Sequence, residues 1–221
     1  DGFRFDLMGH HSRANMEAVR TALDELTLRR DGVDGSQVTL YGEGWNFGEV
    51  ADNARFYQAT QGQLDGTSIA TFNDRLRDGV RGGGPFDEDP GADKGFASGG
   101  TSANDTDLVQ VGLAGNLRDL TLRSQETGQV VTGAEISYNG APAGYAEHPD
   151  EIVTYVDAHD NETLFDAYAA KLPTTTSRAQ RARARGHRAL HAGTHDGRLP
   201  GVVRAAAGGR AVAAVAAPRR A

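Results

Sequence analysis

The apolar positions change period along the chain. Residues 2–8, GFRFDLM, alternate in polarity, with Arg4 and Asp6 on one face, which predicts a short buried β-strand. From residue 12 the spacing lengthens. Met16, Val19, Leu23 and Leu26 recur at helical intervals, and Ser12 stands where an N-cap is needed. QVTLYGEGW (37–45) predicts a second strand ending in a Gly-rich turn, and TSIATFNDRLRDGVRGG (67–83) a third strand running into a loop or short helix. A Gly-rich, acidic stretch over 82–105 predicts a long surface loop. TDLVQVGLAGNLRDLTL (106–122) predicts a helix, EIVTYVDAHDN (151–161) a strand, and ETLFDAYAAKL (162–172) a helix behind it. Alternating strands and helices imply an α/β fold with a parallel sheet or barrel. Such folds carry their chemistry at the C-terminal strand ends, where the polar residues of these segments cluster.

Three strand ends carry candidate chemistry. In DGFRFD, Arg4 and Asp6 form either a structural ion pair or a nucleophile kept ionised by its neighbouring cation. In LYGEGW, Glu43 is either a turn carboxylate between two glycines or a general acid raised in pKa by apolar neighbours such as Trp45. In VDAHDN, His159 and Asp160 are compatible with a metal fragment, an ordinary turn or a third polar strand end. Taken in series, two carboxylates, a third acid and a histidine are what cleavage of a glycosidic bond requires. Trp45 and Phe47 offer aromatic faces that suit sugar rings, with core packing under the loop as the alternative.

Charge and composition narrow the partners. The chain has 221 residues, a formal net charge of −7 and no cysteine, which excludes disulfides and thiolate metal sites. The charge is split: residues 1–172 hold 13 basic and 29 acidic residues, a balance of −16, whereas 173–221 hold ten Arg and a single acid. An acidic surface over 1–172 argues against a nucleic-acid partner there, and no stretch is long and apolar enough to span a membrane. The segment FDEDPGAD (86–93) is acidic, but Pro90 breaks the spacing of a calcium loop.

DGFRFDLMG, YGEGW and VDAHDN resemble the second, third and fourth characteristic regions of the α-amylase superfamily, glycoside hydrolase family 13. LMG after Asp6 and GEGW around Glu43 resemble its pullulanase branch, the α-1,6-glucosidases, as do TFNDRLRDGVRGG and DAHDNETLFDAYAAKLP. The resemblance runs over residues 1 to about 177. It implies a partial (β/α)8 barrel, approximately strands four to seven. It also implies a retaining hydrolase acting on α-1,6 linkages of pullulan, starch or glycogen; isoamylase, α-amylase or a non-catalytic barrel relative are the alternatives. By the same resemblance Asp6 matches the nucleophile, Glu43 the general acid/base and Asp160 the transition-state-stabilising aspartate. Arg4 matches the arginine that orients the nucleophile, and His159 a sugar-contacting histidine. Trp45, Met8, Asn161 and Phe47 are expected to line the sugar subsites. No cofactor or resident metal is implied, although calcium is left open for a longer protein. The expected partner is an α-glucan, with no nucleic acid and no membrane, and the oligomeric state is left open. The expected setting is secreted or at a bacterial cell surface, with the cytoplasm not excluded.

Two departures from the pattern stand out. The superfamily's first region has no counterpart, so the chain is expected to be a fragment of a longer reading frame, inactive by itself. Residues 178–221 are rich in Arg, Ala and Gly, match nothing in the family, and have the composition of a GC-rich gene read in the wrong frame. The expected division is therefore a partial catalytic barrel over 1–177 and a low-complexity tail over 178–221.

Overall fold

The computed structural model describes residues 2–84 and 86–179; the tail expected from residue 178 thus falls almost wholly outside the described residues. The described chain forms two units, residues 2–72 with Ala146–Val153, and Asn73–Tyr145 with residues 154–179.

The first unit is built on a four-stranded parallel sheet. Its strands are β1 (Gly2–Phe5), β2 (Thr39–Gly42), β3 (Ile69–Phe72) and β8 (Ile152–Val153), in the order β1-β2-β3-β8. Arg4 pairs with Tyr41 and Phe5 with Gly42, while Leu40 pairs with Ile69. Among the described residues, β1 and β8 each pair on one side only. Between β1 and β2 lie the helices α1 (Arg13–Asp24) and α2 (Leu28–Asp31). Ser12 caps α1 by accepting the Asn15 N–H, as its sequence predicts, and Thr27 caps α2 in the same way through Arg30. The core packs Met8, Met16, Leu40, Ala59, Leu64 and Ile69 together, so sheet and α1 share one apolar layer. Glu151 leads into β8. Its buried carboxylate accepts N–H bonds from Gly66, Glu147 and His148, which ties the start of β8 to the loop before β3.

The second unit is mainly helical. Asn73 follows β3 directly and caps α3 (Asp74–Arg81) through the Leu76 N–H. Helices α4 (Ala103–Leu113) and α5 (Leu164–Lys171) complete it, with two short antiparallel hairpins, β4–β5 (Thr121–Arg123 and Val130–Thr132) and β6–β7 (Ser137–Tyr138 and Ala141–Pro142). Leu76, Val80, Val109, Leu164 and Tyr168 form one apolar cluster, and Leu108, Val111, Ile136 and Ala143 another. The guanidinium of Arg75 is buried over the rings of Tyr138 and Tyr145, at 4.9 and 4.5 Å, and pairs with Asp74 at 2.6 Å.

Several sequence expectations change. The first strand stops at Phe5 because Leu7 turns into the left-handed region (φ 47°, ψ 38°). The helix expected over 106–122 ends at Leu113, since Gly115 and Asn116 both take positive φ, and the chain turns into β4. The strand expected over 151–161 is shortened to Ile152–Val153. No helix among the described residues is long and apolar enough to cross a membrane.

Candidate active site

In the first unit, three of the expected residues meet at the C-terminal ends of β1 and β2. Arg4 is the third residue of β1, Asp6 follows its last residue, and Glu43 follows the last residue of β2. The parallel pairing brings these ends together. The Glu43 N–H donates to Phe5 O at 3.0 Å and the Gly9 N–H donates to Glu43 O at 2.8 Å. Arg4 is shared: one nitrogen pairs with Asp6, and Nη2 donates to Glu43 Oε1 at 2.8 Å. The other Glu43 oxygen, Oε2, accepts the Leu7 N–H at 2.8 Å. An oxygen of Asp6 lies within 4.8 Å of one of Glu43. The two carboxylates differ sharply in exposure. The Asp6 side chain is 66% exposed and that of Glu43 only 8%.

Glycines make this approach close enough. A Cβ on Gly42 would stand 2.5 Å from Phe5 O, and one on Gly9 would stand 2.1 Å from Trp45 O. The G-x-G bracket around Glu43 therefore has a steric reason on both sides: Gly44 would meet Thr71 at 2.7 Å.

The lining candidates separate. Phe47 is half exposed and sits edge-on to His10, with ring centroids 4.7 Å apart. Trp45 is partly exposed. Met8 is not: it is fully buried in the core beneath the site, so the expected sugar-lining role gives way to packing.

In the second unit, His159, Asp160 and Asn161 share one turn ahead of α5. His159 Nδ1 lies 3.3 Å from Asp160 Oδ1, and both side chains are well exposed. Asn161 Oδ1 accepts from Arg81 Nη1 at 2.9 Å. Arg81 and Leu7 also contact the expected site residues, and neither is marked in the sequence. Arg81 has no motif of its own, and the role of Leu7 lies in its backbone. Two acids of the 86–93 loop serve local turns: Asp87 accepts the Gly84 N–H and Asp89 the Gly91 N–H.

No family model matches the chain. Pullulanase 1, chloroplastic, from Arabidopsis thaliana is 43% identical over 201 residues, covering 83% of this chain and 20% of its own length. A pullulanase from Klebsiella aerogenes is 42% identical over 186 residues, covering 77% of this chain and 16% of its own. The crystal structure of a maltotriose complex of PulA from Klebsiella pneumoniae superposes with a TM-score of 0.73 at 40% identity, over 83% of this chain and 20% of that one. The chain thus spans about a fifth of the length of the curated relatives it matches. Over that stretch, by sequence and by fold, the chain belongs to the pullulanase family.

Proposed function

We propose that this chain carries the catalytic groups of a retaining glycoside hydrolase that cleaves α-1,6-glucosidic links in pullulan or in the branches of starch and glycogen. The observation that carries the proposal is the pair Asp6 and Glu43, whose oxygens approach within 4.8 Å at adjacent strand ends. Retaining enzymes hold their carboxyl groups about 5–5.5 Å apart and inverting ones about 6.5–9.5 Å. An approach this close favours the retaining arrangement, in which one carboxylate itself attacks and no water stands between the base and the sugar.

The difference in exposure suits a division of roles. Asp6 is open to a sugar ring and attacks the anomeric carbon, forming a glycosyl ester. Glu43 gives its proton to the leaving oxygen and then takes one from the incoming water. Arg4 touches both carboxylates and keeps them in register while charge moves between them. Asp160 and His159 hold sugar hydroxyls, and Trp45 and Phe47 offer faces for neighbouring rings. The two carboxylates and water supply the whole reaction, so no cofactor is required. The sequential parallel order β1-β2-β3-β8 supports reading the sheet as strands four to seven of a (β/α)8 barrel. In a closed barrel both edge strands would be paired. A secreted or surface setting suits a polymeric substrate that does not cross membranes.

The test is a chimera in which residues 2–177 replace the matching stretch of the Klebsiella pneumoniae enzyme. Release of reducing sugar from pullulan, with the α-anomer formed first by proton NMR, is the expected result. Initial release of the β-anomer, or turnover equal to that of an Asp6→Ala chimera, would overturn the reading.

A further inference from the structure

The turn that carries His159 and Asp160 is held at two points, both within the second unit. At its ends, the Asp157 carboxylate accepts the Leu164 N–H and closes residues 157–164 into a loop. Thr163 then caps α5 through the Asp166 N–H. In its middle, Arg81, the last residue of α3, reaches the turn with both terminal nitrogens. Nη1 donates to Asn161 Oδ1 at 2.9 Å and Nη2 to Glu162 Oε2 at 2.6 Å. The Arg81 side chain is 3% exposed, while Glu162 is 51% exposed. The guanidinium also holds the Glu162 carboxyl below the usual carboxylate range.

A buried guanidinium gripping a half-exposed carboxylate makes a poor stabilising device, because ion pairs open to water contribute little. Its geometry suits another purpose. The planar fork spans two acceptors on consecutive residues, a task that a point-charge lysine cannot reproduce. Those two residues come immediately after Asp160. Fixing both side chains fixes the direction in which the peptide leaves Asp160, and hence where its carboxylate points.

We propose that Arg81 is a positioning residue for this reaction, setting the orientation of Asp160 and His159 by clamping Asn161 and Glu162. The proposal rests on the reading of Asp160 and His159 as sugar-contacting groups. It also gives Asn161 the role of an anchor for the turn.

The test compares Arg81→Gln, Arg81→Lys and Glu162→Gln with the parent 221-residue chain by amide hydrogen exchange. Arg81→Gln should raise exchange at residues 159–162 by about tenfold while leaving α1 and α4 within about twofold. Arg81→Lys, with the charge but not the fork, should recover only part of the protection. In a hydrolytically competent chimera, Arg81→Gln should lower kcat about a hundredfold with KM changed less than about threefold. If Arg81→Gln loosens the whole second unit, Glu162→Gln decides, because that side chain is half exposed and its loss cannot unfold the chain. It should still raise exchange in the turn a fewfold. Unchanged exchange at 159–162 in Arg81→Gln, or in Glu162→Gln where that variant decides, would overturn the clamp. If the chimera has no glycosidase activity while the turn still loosens, the fault lies with the proposed function and the clamp stands.

Discussion

Leu7 donates its backbone N–H to Glu43 Oε2 at 2.8 Å from a left-handed conformation, φ 47° and ψ 38°. A non-glycine residue in that region costs on the order of 1–2 kcal/mol. Here the cost falls between Asp6 and the buried Met8, where the reversal both ends β1 and aims an amide at the partner carboxylate. Leu7→Gly relieves the strain and loses a half-exposed side chain, so stability should change by less than about 1 kcal/mol. Leu7→Pro removes the N–H and fixes φ negative, so it should cost about 3 kcal/mol or more. Urea midpoints of the two variants check this; equal losses would mean that neither the conformation nor the amide matters.

The two carboxylates should fail differently in the chimera. Asp6→Ala should remove nearly all activity on every substrate. Glu43→Gln should lose pullulan hydrolysis but retain activity on glucosides with an acidic leaving group, which need no proton. Initial rates on pullulan and on an aryl glucoside distinguish the two, and full pullulan activity in Glu43→Gln would refute its acid role.

Gly9→Ala should destabilise the first unit by at least about 1–3 kcal/mol, the usual range for overpacking. Its Cβ would stand 2.1 Å from Trp45 O, a backbone atom that cannot rotate away. Gly32→Ala is the wrong control because Gly32 has positive φ; Gly84→Ala, whose nearest neighbour is a carboxylate oxygen at 3.4 Å, is the better one. Thermal melts should separate Gly9→Ala from Gly84→Ala by several degrees.

In the second unit, Arg75→Met should cost about 3 kcal/mol, because it removes the buried cation that pairs with Asp74 and lies over the rings of Tyr138 and Tyr145. The same change with Asp74→Asn should cost less than the two single changes added together. Denaturant titration of the four proteins measures the coupling.

Burial, with Asp93 and Asp78 nearby, pushes the Asp105 carboxyl up to about 6, above the ordinary value of 3.8. Folded protein therefore binds this proton more tightly than unfolded chain does. The contribution is fully present below pH 3.8 and is lost as pH rises through about 6. Asp105→Asn should thus stabilise the protein at pH 7.5 and lose that advantage near pH 4. Melting temperatures of both proteins across that interval provide the check.

The sequence was most legible where a residue acts through its own chemistry. Arg4, Asp6 and Glu43 stand together at adjacent strand ends, and Ser12 caps α1 as its position implies. It was least legible where backbone geometry decides. Nothing in the alternation of GFRFDLM marks Leu7 as a reversal, so Met8 read as a lining residue although the turn sends it into the core. The apolar run of 106–122 kept a helical period past Leu113, yet Gly115 and Asn116 reverse the chain. Arg81 was illegible for a third reason: its partners lie 80 and 81 residues away, and no local pattern records so distant a pairing.

The strand order β1-β2-β3-β8 also sets a sequence of events. β1, β2 and β3 follow one another along the chain and can pair as each emerges. β8 must wait for residues 73–151, a span about three times the 26 residues between β2 and β3. Closing the longer loop adds about 1 kcal/mol of entropic cost. A strand of two residues has little ladder with which to offset it. The Glu151 carboxylate, which gathers the amides of Gly66, Glu147 and His148, is then the latch that retains a late arrival. Assembly of this sheet should accordingly run in two stages, three strands first and the fourth afterwards, with Glu151→Gln speeding the release of the fourth strand alone.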